Sequence, residues 1–248
     1  MPEGPSIVIL KEAVEPFAGK KVLSVTGNSK KIDLTKLEGR KVTAFKSWGK
    51  HFLICFKDFT VRIHFLLFGS YRINKSKETP PRLGLKFSNG ELNFYACSVL
   101  MLERPLDEIY DWSGDVLSPT WDAGRALEKL KKKPDMLVCD ALLDQDIFAG
   151  SGNIIKNEVL YRIHVHPKNK TGDLPQEKLE EMVHEAVNYS YDFLRWKKEF
   201  TLKKHWLAHT KTVCKRDGNP LIKEYLGKTN RRTFYCEKCQ VLYSENGY

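Results

Sequence analysis

The chain has 248 residues, 41 Lys and Arg against 31 Asp and Glu, and a net charge of +10. A hydrophobic content of 42% allows packed cores and excludes global disorder, and the length suits two modest domains rather than several large ones. No apolar run is long enough to span a membrane and the N-terminus lacks the regions of a signal peptide, so an intracellular protein is expected, with an anionic partner such as nucleic acid favoured by the charge.

From the start of the chain, Ile7, Leu10, Ala13, Val14 and Phe17 fall at helical spacing and predict a first helix over residues 5–17. From Lys21 to about Glu103 the pattern becomes short runs rich in Val, Ile, Phe and Tyr: residues 22–25, 41–45, 52–56, 60–65, 83–87 and 92–95. Turn pairs punctuate them (Gly27-Asn28, Lys57-Asp58, Asn89-Gly90), which predicts a sandwich or barrel of hairpins. Helical periodicity takes over near Asp115 and runs to about Lys204. Asp173 is read as the N-cap of a helix with Leu179, Met182, Val183, Ala186 and Val187 on its apolar face. The last forty or so residues are polar and basic and suit a small hairpin, a unit that needs a metal or a docking surface to persist.

Six cysteines occur. Cys55, Cys97 and Cys139 stand alone in apolar surroundings and read as buried thiols; Cys236 and Cys239 form a Cys-x-x-Cys pair that, with Cys214, points to a metal rather than to disulfides.

The chain begins Met1-Pro2-Glu3-Gly4-Pro5. Removal of Met1 would expose a secondary amine. An α-amino group titrates near about 8 against about 10.4 for a lysine side chain, so far more of it is neutral and nucleophilic at physiological pH. Attack of such an amine on the anomeric carbon of a sugar gives an iminium, which explains both release of a base and strand cleavage by elimination. Glu3 stands ready to shuttle protons at the sugar. On these five residues alone, a proline at a flexible start fits equally well.

The same five residues resemble the start of the formamidopyrimidine-DNA glycosylase and endonuclease VIII family, and four further segments continue the likeness in the family's order. Trp48-Gly49-Lys50-His51-Phe52-Leu53 is similar to the family's Gly-Lys turn, whose lysine contacts phosphate and assists at the sugar. His64-Phe65-Leu66-Leu67-Phe68-Gly69 resembles the loop that fills the gap left by an extruded nucleotide, which implies a wedge of Leu66, Leu67 and Phe68. Residues 142–153, ending Gly150-Ser151-Gly152-Asn153, look like the family's helix–two-turn–helix. Arg231-Arg232-Thr233-Phe234-Tyr235-Cys236-Glu237-Lys238-Cys239-Gln240 resembles the end of its zinc-finger hairpin. Together the five segments span nearly the whole chain.

The resemblance implies an α+β fold with an N-terminal helix and β-sandwich (1–115), a helix–two-turn–helix domain (116–208) and a zinc-finger-like β-hairpin (209–248). It further implies a bifunctional DNA glycosylase/AP lyase of base excision repair. Pro2 would be the nucleophile, Glu3 the proton shuttle and Lys50 a supporting cation, with Asn153 and Arg231 on the phosphates of damaged DNA. The expected setting is the cytoplasm or nucleoid, as a monomer without membrane contact.

Two departures matter. The family finger has two Cys-x-x-Cys pairs, and here the first is incomplete. One alignment places Cys214 and Asp217 with Cys236 and Cys239 as zinc ligands, a chemically acceptable set. Another leaves two ligands missing, and His209 is a further substitute. His164 and His166 are read as part of a helix end and its turn rather than as metal ligands.

The second departure concerns substrate. Residues 196–202 carry no glycine where purine-directed members have a long Gly/Thr-rich loop, and residues 94–103 lack their Arg and Phe. Both features resemble endonuclease VIII and imply oxidised pyrimidines as substrates. An oxidised-purine glycosylase, or a nucleic-acid-binding module without catalysis, are the alternatives.

Overall fold

The structure is a computed structural model that describes residues 2–243; Met1, whose removal the amine chemistry requires, lies outside the described residues. The chain divides into two compact units, Met1–Asp111 and Trp112–Tyr248. Among the described residues no helix is long and apolar enough to cross a membrane.

The first unit opens with α1 (Gly4–Ala13), which buries Ile7 and Leu10. The helix ends earlier than the apolar spacing predicts. Pro16 cannot donate to the helical ladder and disfavours the α region for Glu15, so residues Glu15–Phe17 form a 3-10 turn that still buries Phe17. Eight strands follow: β1 (Ser24–Thr26), β2 (Ala44–Trp48), β3 (His51–Cys55), β4 (Thr60–His64), β5 (Ser70–Ile73), β6 (Leu83–Phe87), β7 (Gly90–Tyr95) and β8 (Ser98–Leu102). They form two antiparallel sheets, β1-β6-β7-β5 and β2-β3-β4-β8, around one core. Phe52 of one sheet meets Phe94 of the other with ring centroids 5.8 Å apart. A short helix, α2 (Leu106–Ile109), closes the unit. The sequence pattern does not show β5 and β8. β5 buries no residue fully, and β8 is defined by its pairing with β4, neither of which leaves a period-two signal.

The second unit contains α3 (Ala123–Lys131), α4 (Val138–Ala141), α5 (Asn153–Arg162), the long α6 (Gln176–Lys198), and a hairpin of β9 (Ile222–Leu226) and β10 (Arg231–Tyr235). α6 buries Leu179, Met182, Val183 and Ala186 as predicted, and continues through Tyr189, Phe193 and Trp196. Its N-cap is Pro175, not Asp173. Proline forces the preceding Leu174 into the extended region (ψ 136°), so no helix can run through it from Asp173. Asp173 instead accepts from the Lys170 backbone N–H in a 3-10 turn.

α5 is the inner helix of this unit and buries three polar side chains, Lys156, Asn157 and Glu158. The Glu158 carboxylate accepts the backbone N–H groups of Leu207, Ala208 and His209 at 2.8–3.0 Å. That satisfies a buried charge and fixes the chain after α6. The hairpin rests on a separate small cluster of Tyr161, Ala208, Cys214, Leu221 and Cys236.

Candidate active site and nucleic-acid interface

Glu3, in extended backbone, is the N-cap of α1 and is only 2% exposed, with Pro2 directly before it. The glutamate makes no side-chain capping bond to its own helix; its backbone carbonyl accepts from Ser6 N–H at 2.8 Å. Pro5 in the first turn is preset for a helix start, so the sequence Pro-Glu-Gly-Pro fixes where the chain begins its first helix. α1 packs against β2 and β3, the two strands whose connection carries Lys50.

That connection is a two-residue turn. Trp48 pairs with His51, Gly49 has φ 52°, and Lys50 does not have positive φ, the pattern of a type II′ hairpin with glycine at its first central position. Around the turn lies a polar group that sequence reading missed. His51 pairs across the sheet with His64, and the His51 ring shares a 3.2 Å hydrogen bond with the Tyr110 hydroxyl. The Trp48 indole stacks near Tyr110 and donates to the Asp111 carbonyl at 2.8 Å. Burial first, then Arg62, His64 and Lys50, push the His51 imidazole down to about 3; burial, Lys50 and Arg62 push His64 down as well. Lys50 and Arg62 thus supply the positive charge here, while the two histidines stay neutral at physiological pH. The signal available in sequence was the hairpin register, which places His51 opposite His64.

The apolar run 65–68 splits in the structure. Phe65 is buried, whereas Leu66, Leu67 and Phe68 are 49%, 45% and 82% exposed. Gly69 N–H closes the turn on the Phe65 carbonyl at 2.7 Å, and Leu66 takes a left-handed φ of 51°. A methyl group at Gly69 would fall on the Phe65 backbone, so the turn requires glycine there. Three large apolar side chains on a turn tip are costly to leave in water unless they are used.

In the second unit, the two turns after α4 are tied by Gln145. Its carboxamide oxygen accepts from Gly150 N–H at 3.1 Å and its NH2 donates to the Leu143 and Ser151 carbonyls at 2.8 and 3.1 Å. Gly150 takes φ 99°. Gly152 is extended, so left-handed backbone is required at the first glycine of Gly-x-Gly only. α5 then starts at Asn153 with no acidic residue in its first turn, so no side-chain charge there offsets the positive helix end.

Asn153 and Arg231 are brought close by β10. Asn153 Nδ2 donates to the Arg232 carbonyl at 2.9 Å, Lys156 Nζ donates to Thr233 Oγ1 at 2.8 Å, and Asn157 Oδ1 accepts from Phe234 N–H at 3.2 Å. One face of α5 therefore holds the strand that carries Arg231. Sequence reading identified Asn153 and Arg231 but not Lys156 or Asn157. A lysine four residues from a Gly-x-Gly turn gives no hint of complete burial.

Cys214, Asp217, Cys236 and Cys239 form a candidate metal centre, their ligand atoms all within 4.8 Å of one another. Cys214 Sγ lies 3.6 Å from Cys239 Sγ and Cys236 Sγ 3.1 Å from Asp217 Oδ2. A tetrahedral zinc with sulfur at 2.3 Å spaces its sulfurs by about 3.8 Å, so the thiol pair needs little adjustment. The Asp217 carboxyl is held below the usual carboxylate range by the Asn219 N–H and then by the Cys236 and Cys214 thiols. The four residues fit a structural zinc site, and the alignment with Asp217 is the one the fold realises. His209 is engaged elsewhere, its Nδ1 2.9 Å from Asn157 Nδ2, and burial pushes its imidazole down to about 4. His164 and His166 lie outside this cluster. His164 follows α5 with φ 62°, and His166 pairs with Glu237.

A helix-led β-sandwich with proline and a buried glutamate at its start, and a helical unit with a glycine-turned two-turn motif and a cysteine-based hairpin, define the helix–two-turn–helix DNA glycosylases. The formamidopyrimidine-DNA glycosylase N-terminal domain matches residues 1–98, and the formamidopyrimidine-DNA glycosylase H2TH domain matches residues 114–198. The chain is 29% identical to Endonuclease 8-like 2 of Bos taurus, over 97% of this chain and 96% of that protein. To Endonuclease 8-like 2 of Mus musculus it is 34% identical over 75% of this chain, spanning only 60% of the relative's length. A crystal structure of Lactococcus lactis formamidopyrimidine-DNA glycosylase bound to DNA with an AP site has a TM-score of 0.84 at 21% identity, covering 96% of this chain and 99% of that one; this likeness establishes the fold. The chain belongs to the formamidopyrimidine-DNA glycosylase/endonuclease VIII family, close to the Endonuclease 8-like proteins. Its activity is of the family's general class, base-excision-repair DNA glycosylase with AP lyase action on oxidised bases.

Proposed function

We propose that the chain excises oxidised pyrimidines through the amine of Pro2. The observation that carries this reading is the buried Glu3 immediately after Pro2, at the start of a helix packed on the strands that present Lys50. A carboxyl group beside the amine can give and take protons at a sugar. The processed Pro2 amine attacks C1′ of the damaged nucleotide, and the base departs as the ring opens to an iminium. Loss of the acidified C2′ proton then expels the 3′ phosphate. A second elimination expels the 5′ phosphate, giving β,δ-cleavage. Lys50 acts as a supporting cation, Asn153 and Arg231 bind phosphates, and Leu66, Leu67 and Phe68 occupy the gap in the stack, offsetting the few kcal/mol that extrusion costs. The zinc-finger-like hairpin, taken as residues 209–248, serves to present Arg231, and the protein works on damaged DNA as a monomer.

The pyrimidine preference is supported by the short connection after α6. Only residues 199–201 separate it from the next 3-10 helix, which leaves little backbone to enclose a flipped purine. Ring-saturated pyrimidines have also lost stacking and are cheaper to extrude. Borohydride should trap a covalent complex between processed protein and lesion DNA, and Pro2→Gly should weaken it. Active enzyme that cleaves yet never traps would sink the amine mechanism. Faster excision of ring-saturated pyrimidines than of oxidised guanine opposite cytosine is expected; a strong preference for oxidised guanine would overturn the substrate reading alone.

A further inference from the structure

The geometry points to Asp140 as a positioning residue for Arg231, acting on the turn of the β9–β10 hairpin. Asp140 lies on α4, and both of its carboxylate oxygens accept the backbone N–H of Lys228, at 3.1 and 3.0 Å. Lys228 is in the turn between β9 and β10, and Arg231 is the first residue after that turn, paired with Leu226. Gly227 opens the turn with φ 75°, and a methyl group there would fall on the Asp140 carboxylate. The close approach therefore requires both the aspartate and the glycine. Asn230 closes the turn with φ 46° and donates its N–H to the Gly227 carbonyl at 3.1 Å.

On the other side of Arg231, the α5 side chains Asn153, Lys156 and Asn157 hold residues 232–234. Their contacts begin one residue after the arginine. The metal ligands Cys236 and Cys239 are further along still, at the opposite end of the strand. Leu226, opposite Arg231, packs on the core of the unit, and the turn beyond it belongs to a two-stranded ribbon, a unit marginal in water, to which Asp140 adds a fixed point. Asp140 carries negative charge and so would itself repel DNA. Its use here makes sense as a backbone clasp, where a carboxylate accepting an N–H makes a strong bond.

This inference rests on the reading of Arg231 as a phosphate contact, and the experiment separates the two. Affinity for a duplex carrying a tetrahydrofuran abasic analogue is measured between 50 and 200 mM salt for wild type, R231A, D140A, G227A and D140A/R231A. Taking the slope as the steepness with which log affinity falls against log salt, R231A should lower it by about one unit. D140A and G227A should each lower it by the same amount, with zinc content unchanged, and the double variant should be no lower than R231A. The sign is informative. Simple loss of a negative charge in D140A would raise the slope, and G227A changes no charge at all. Wild-type slopes in D140A and G227A beside a lowered slope in R231A would overturn the clasp. Loss of zinc together with the slope would also overturn it, since that shows collapse of the hairpin rather than misdirection of Arg231. A wild-type slope in R231A would overturn the phosphate reading, and the clasp with it.

Discussion

Two hairpins present cations in this molecule, and they are held by different physics. The β2–β3 hairpin, with Lys50 at its turn, continues into a four-stranded sheet and buries Phe45, Phe52, Leu53 and Ile54. Backbone ladders on one side of β2 and both sides of β3, with apolar burial, fix it. Among the described residues the β9–β10 hairpin has no third strand, and β9 buries none of its residues fully. Its apolar packing is limited to Leu226 and the buried end of β10, and much of its hold comes from side chains reaching to it: Asp140 at the turn, Lys156 and Asn157 along β10, and the Cys214–Asp217–Cys236–Cys239 cluster at the base. A strand inside a sheet inherits its position from the core. A lone ribbon needs discrete polar anchors, each of which can be lost separately.

The largest effect is expected in the sandwich core. Phe52→Ala should destabilise the first unit by about 3–5 kcal/mol, a large-to-small change in a closed core, read by urea unfolding. Cys236→Ser should release about one zinc per chain and disorder the second hairpin while leaving the main unfolding transitions close to wild type. Elemental analysis that finds no zinc in untagged wild-type protein would select a metal-free hairpin. Equal effects of the two substitutions on global stability would remove the distinction drawn between the hairpins.

A smaller effect concerns the first turn. Gly49→Ala forces a side chain into φ 52° and should cost about 1–2 kcal/mol, while displacing Lys50 and slowing excision. If excision were unaffected, Lys50 would not need its present placement. A further effect depends on pH. His51 titrates near 3 in the folded protein, against 6.5 normally. The unfolded chain therefore takes up a proton below pH 6.5 that the folded chain refuses until about 3. Stability is greatest above 6.5 and falls as pH drops through that window, by at most about 1.4 kcal/mol per pH unit from this residue. His51→Gln should flatten the dependence between pH 6.5 and 4 in urea unfolding. An unchanged profile would show that His51 is accessible enough to titrate normally.

Much of this was legible from order along the chain. Pro2-Glu3, the Gly49-Lys50 turn, the Gly150–Asn153 turn and the Cys236–Cys239 pair are local devices whose chemistry is written in adjacent residues: a preset φ, a glycine for positive φ, two sulfurs one turn apart. The apolar runs 52–56 and 60–65 likewise marked the sandwich core, because strands that bury most of their residues read as short apolar runs. What the sequence left open depended on distance. Whether Asp217 or His209 joins the cysteines turned on which of them reaches the thiols, and burial of His209 against Asn157 decided it. The neutral His51–His64 pair exists only through strand register, Lys156 became a buried strut only once α5 met β10, and Asp140 found the hairpin turn 88 residues away. Propensity and spacing act over a few residues, whereas burial, charge and hydrogen bonding act between whatever the fold brings within about 3–4 Å, and only the tertiary structure determines that.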